Sequence, residues 1–125
     1  MNSAGMWSDQ ARYDLDTARA LQTSGRYLYV LFCCQQAVEK AIKAVIAKRS
    51  NEFPPRIHAL IRLAEVANVE LDDERAQLLR ELSHYYLQTR YPEEIPAMAA
   101  RISESQSRQI LDRTGETVQW LLSMP

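Results

Sequence analysis

The sequence predicts an all-α protein, an up-and-down antiparallel bundle of four to five helices, and three observations predict it. Ala, Leu, Gln, Glu, Lys and Arg are abundant, while three Gly and few β-branched runs disfavour a sheet. Apolar residues recur at helical spacing through most of the chain. The polar breaks between them are short, which makes successive helices antiparallel neighbours. An apolar share of 46% suffices for one continuous core without disulfide or metal staples, so residues 1–125 read as a single domain.

The first helix is expected over 8–24, with Ser8 as N-cap, Trp7, Ala11, Leu15, Ala18 and Leu21 at helical spacing, and Gly25 as terminator. The second, over 26–49, is the longest and central. Its core stripe is Leu28, Leu31, Phe32, Val38, Ile42, Val45 and Ile46. Pro54 and Pro55 force a turn, after which 56–68 reads as a third helix with Ile57, Leu60, Ile61 and Ala64 inward. Asp72 is an N-cap for the fourth, and Asp73 and Glu74 complement the helix dipole. That helix carries Leu78, Leu82 and Tyr85 and stops near Thr89, because Pro92 disfavours helical geometry at Tyr91. Residues 93–100 read as either a helical turn or a packed loop. Ser103 and Gln106 make a capping-box pattern before the last helix, whose inward residues are Ile110, Thr114, Val118 and Leu121. Gly115 within it costs about 1 kcal/mol relative to Ala and so reads as a close helix contact.

Fifteen basic against sixteen acidic residues leave a net charge of −1, so no global field draws in nucleic acid or an anionic membrane, and any such binding must be local. Cys33 and Cys34 are adjacent on a helix, where their side chains diverge by about 100°. They read as reduced, buried thiols. Two distant histidines and adjacent cysteines lack ligand spacing, so neither metal nor cofactor is expected. No apolar run approaches the roughly 20 residues of a membrane span and no signal segment opens the chain, which makes a cytoplasmic location the expectation.

On the second helix Gln36, Lys40 and Lys43 share one side, and Glu39 lies four residues before Lys43. One reading is a solvated face carrying a helical pair, which contributes about 0.3–0.5 kcal/mol. The other is a half-buried Glu39 that holds Arg90 or His58. Asp14 lies on the apolar strip of the first helix and must be at its edge or paired. Tyr85, Tyr86 and Tyr91 are core aromatics on one reading. On the other, Tyr86 and Tyr91 join Lys40, Lys43 and Arg90 in an anion pocket that stacks a base. Ala37, Ala41 and Ala44 allow a close helix, from this chain or another.

The order of these motifs resembles the HEPN family of small helical domains. The matching residues are Gln36, Ala37, Glu39, Lys40, Lys43 and Ala44, then Pro55 and His58, then Tyr86, Arg90, Tyr91 and Pro92. The opening also fits, from Trp7 to Tyr27, so the resemblance covers nearly the whole chain. It implies a homodimeric module that binds nucleotide or RNA and works with a separately encoded minimal nucleotidyltransferase. It assigns Gln36, Glu39, Pro55, His58 and Pro92 to a structural motif. Many members of the family are metal-independent ribonucleases, some of them toxins of toxin–antitoxin pairs, with an Arg, four to six intervening residues and a His at a dimer interface. Here Arg80 and His84 have three residues between them. They are the catalytic pair if the chain is an enzyme; otherwise Arg80 is a surface residue and His84 a structural one. A third alternative is a scaffold subunit that binds no nucleic acid.

Overall fold

The computed structural model describes residues 3–88 and 90–125. Among these described residues there are six α-helices: α1 Ser3–Thr23, α2 Tyr27–Ser50, α3 Leu60–Val66, α4 Asp73–Gln88, α5 Ile95–Arg101 and α6 Glu104–Leu122, with a 3-10 turn Pro92–Glu94 before α5. No strand occurs among the described residues. The fold is the expected all-α bundle, with one helix more than the four to five expected. α2 is its axis, packing against α1, α6, α4 and α3, and fifteen of its 24 residues are buried.

Local chemistry explains most of the boundaries. Gly25 adopts φ +79°, a left-handed geometry that only glycine takes without steric cost, and Arg26 N–H returns to the Leu21 carbonyl to close α1. Asn51 plays the same part after α2, with φ 57° and its N–H on the Ala47 carbonyl. Asp72 caps α4, its Oδ1 accepting from Arg75 N–H at 2.8 Å. The capping box opens α6: Ser103 Oγ accepts from Gln106 N–H at 3.0 Å, while Gln106 Oε1 accepts from Ser103 N–H at 3.0 Å. The end expected for α4 falls on Thr89, which lies outside the described residues.

Two helix starts differ from expectation. α1 begins at Ser3, so Ser8 is inside the helix and not its cap. Trp7 explains the extension, since its ring packs edge-on to Phe53 at 5.8 Å and holds the first turns against the bundle. α3 begins at Leu60, four residues later than periodicity suggests. The preceding residues leave helical geometry because the prolines set an extended path and His58 is tied to α2 instead of to its own helix. Residues 93–100 resolve into the end of the 3-10 turn and most of α5, which buries Met98.

The core contains Ala11, Leu15 and Ala18 from α1, Leu31, Val38 and Ile42 from α2, Leu60 and Leu63 from α3, Leu78 and Leu82 from α4, and Ile110, Val118 and Leu121 from α6. Ala37, Ala41 and Ala44 are buried in this same chain's bundle. Gly115 is not a point of close helix approach. A Cβ there would meet Arg19 Nη2 at 3.7 Å, an ordinary contact, and the residue faces a groove of about 400 Å³ between α1 and α6.

Candidate functional site

The polar residues of α2 are where structure departs most from a solvated face. Gln35, Glu39 and Lys43, spaced four apart, are 0%, 4% and 6% exposed. Four-residue spacing stacks them on one strip of the helix, and burial obliges each to find a partner there. Gln35 Nε2 donates to Glu39 Oε1 at 3.1 Å and to the His58 carbonyl at 3.3 Å. Lys43 Nζ donates to Glu39 Oε2 at 3.1 Å and lies 5.3 Å from the centroid of the Trp7 ring. His58 Nδ1 sits 3.2 and 3.1 Å from the two Glu39 oxygens. Of the two partners considered for Glu39, the structure supplies His58 and not Arg90. Gln36 is half-buried and donates to Gln35 Oε1 at 3.3 Å.

Lys40 turns toward α1, where its Nζ lies 2.7 Å from Asp14 Oδ2. Asp14 is thus paired, and both lysines of the expected anion pocket face carboxylates. Their charges are neutralised within the fold, so that pocket does not assemble around them.

From His58 the site opens outward. The His58 and Tyr86 ring centroids are 6.2 Å apart, and Phe32 stacks on Tyr86 at 5.5 Å with planes 22° apart. The Arg90 guanidinium lies over the same Tyr86 ring at 5.5 Å. Arg90 is exposed, and so is Tyr91, at 56%. α2 therefore contributes the anchor (Glu39), the turn after Pro55 the imidazole, and the end of α4 the aromatic ring and a solvent-facing cation. Pro55 is half-buried at the bend that delivers His58, and Pro92 starts the 3-10 turn beyond Tyr91.

Arg80 and His84 stand apart from this group. Both are exposed on α4; Arg80 Nη2 donates to Gln77 Oε1 at 3.2 Å, and the His84 ring meets Tyr85 edge-on at 5.6 Å. A structural role for His84 does not fit its exposure. Among the described residues no three His, Cys, Asp or Glu side chains gather as a metal site. Among the described residues no helix is long and apolar enough to cross a membrane. Both cysteines are free; Cys34 is buried as expected, whereas Cys33, beside it on the helix, is only half-buried. Burial pushes the Cys34 thiol up to about 12, and raises that of Cys33 with a smaller contribution from Asp14.

Two members of the network escape sequence reasoning. Gln35 precedes Glu39 by four residues, and extending the Glu39–Lys43 period backwards would have found it. Trp7 reads as core, and nothing in its spacing reveals the cation on its face.

The arrangement has relatives. No curated protein matches the sequence significantly. Among solved structures, TT1696 from Thermus thermophilus is 27% identical, with 97% of each chain covered and a TM-score of 0.83. ST0689, described as an archaeal HEPN homologue, is 24% identical over 97% of this chain and 96% of its own, with a TM-score of 0.68, a likeness of fold. The family model for the HEPN domain matches residues 4–124, which take in all but the first residue of α1, the other helices, and Glu39, His58 and Arg90. The chain belongs to the HEPN domain family.

Proposed function

We propose that the protein is a non-catalytic HEPN module that binds nucleotide or RNA at the end of α4, acts as a homodimer in the cytoplasm, and serves a separately encoded minimal nucleotidyltransferase. The observation that carries the ligand site is Arg90. It is an exposed cation laid on an aromatic ring, with Tyr91 exposed beside it and His58 on the same ring. An anchored guanidinium suits a phosphate, and a neighbouring exposed aromatic suits a base. With a net charge of −1, affinity must come from such a local group. Lys40 and Lys43, turned to carboxylates, hold the fold and leave ligand contact to Arg90, Tyr91 and the rim of Tyr86.

The ribonuclease reading retains one observation: Arg80 and His84 are both solvent-facing, one turn apart on α4. A single pair of assays separates the readings. Purified protein is titrated with a mixed-sequence oligoribonucleotide, alongside Arg90→Ala, and the same RNA is followed for cleavage in chelator with wild type and His84→Ala. Binding that weakens in Arg90→Ala, without cleavage, supports the module. Metal-independent cleavage lost in His84→Ala overturns it in favour of the enzyme. No binding and no cleavage leaves a scaffold subunit.

A further inference from the structure

His58 reaches the site with one ring nitrogen already engaged. Its Nδ1 lies 3.2 and 3.1 Å from the two oxygens of Glu39, and that carboxylate is ion-paired with Lys43 Nζ at 3.1 Å. An ion-paired carboxylate only accepts hydrogen bonds, so Nδ1 must carry the hydrogen. In the neutral ring Nε2 is then the acceptor. The two ring nitrogens also differ in surroundings. Glu39 is 4% exposed, whereas the His58 side chain is 53% exposed, and Nε2 has no hydrogen-bond partner among the described residues. The neighbouring polar groups are turned elsewhere: Gln35 bonds the His58 carbonyl, Lys43 bonds Glu39, and Arg90, just beyond α4, lies over Tyr86.

We infer that His58 Nε2 is the ligand's hydrogen-bond acceptor, and that Glu39 is the positioning residue that fixes its tautomer. The inference rests on the nucleotide reading and adds to it a specificity element. Arg90 and Tyr91 supply a cation and a stacking ring, which any nucleic acid satisfies; His58 supplies an acceptor, which demands a donor on the ligand. A nucleotide within a strand offers two kinds: the ribose 2′-hydroxyl, which separates RNA from DNA, and the N–H groups of the bases.

The test uses the full chain and a mixed-sequence single-stranded oligoribonucleotide, with a deoxyribonucleotide strand of matching sequence. His58→Asn keeps an amide donor at the Nδ1 position, toward Glu39, and removes Nε2. It is expected to bind RNA about tenfold more weakly than wild type, the range of one hydrogen bond, with an unchanged melting temperature. A loss confined to RNA assigns the donor to the 2′-hydroxyl; an equal loss for both strands assigns it to the bases. Undiminished binding of both by His58→Asn overturns the role of His58 and leaves the Arg90 site standing, whereas a wild type that binds neither strand overturns both. Independently of any ligand, ¹⁵N spectra of the wild-type imidazole should show the Nδ1–H form, with that preference lost in Glu39→Gln. A dominant Nε2–H form in the wild type overturns the inference even if the Gln variant fails to fold.

Discussion

Two pairs of residues in this protein share one spacing and little else. Glu39 and Lys43 on α2 and Arg80 and His84 on α4 are each four residues apart, which sets each pair on a single helix face. The first pair is closed in by Trp7 of α1 and by the segment carrying His58, and both side chains are almost wholly buried. The second faces solvent, its members turned to Gln77 and Tyr85. Spacing decides which side chains share a face; what packs over the face decides what they can do. Under cover, an acid and a base become an anchor that orients a third residue. In the open, a like-spaced pair makes only local contacts.

The contrast can be broken most forcefully at Glu39. Glu39→Ala leaves Lys43 buried without its carboxylate and His58 without its acceptor, and should destabilise the fold by about 3–5 kcal/mol in urea unfolding. A loss no larger than that of a surface substitution would mean that the strip is hydrated in solution. Next come the thiols on the same helix. With Cys34 held near 12 against an ordinary 9.0, its thiolate fraction is about a thousandfold below that of a free thiol. At pH 8, alkylation followed by mass spectrometry should modify the half-buried Cys33 well before Cys34. The sign of the linkage follows. The folded state keeps the Cys34 proton longer than the unfolded state, so its stabilising contribution is full below pH 9 and is lost as pH rises toward 12.

A smaller effect is expected at the α6 cap, where Ser103→Ala removes one half of the capping box and should cost about 1 kcal/mol in the same unfolding measurement. Smallest are Arg80→Ala and His84→Ala, each within about 0.5 kcal/mol of wild type, since neither side chain is covered. A substantially larger loss at His84 would place it under a partner surface and erase the distinction between the two pairs.

What was legible in the sequence divides along the same line between local and tertiary causes. The caps at Asp72 and Ser103 and the stop at Gly25 are local, and each appears where its residue type requires. The start of α1 and the shortness of α3 are not local: one depends on Trp7 finding Phe53, the other on His58 finding Glu39. The site follows suit. His58 and Arg90 are readable as motif residues, but their meeting at Tyr86 joins segments some thirty residues apart, and periodicity within a helix says nothing of that. A covered Glu39 holding His58 is one of the two readings its spacing allows, whereas the burial of Lys43 is hidden for the opposite reason, since ion pairs at this spacing are ordinarily exposed.

The enclosure of α2 has a consequence for motion. Its middle turns have neighbours on nearly every side, so their amide protons have no local opening through which to reach water. α5, which buries Met98 alone, can open by itself. Deuterium should therefore enter α5 early, while the centre of α2 exchanges only when the whole bundle comes apart. That one helix then serves as a clock for global unfolding.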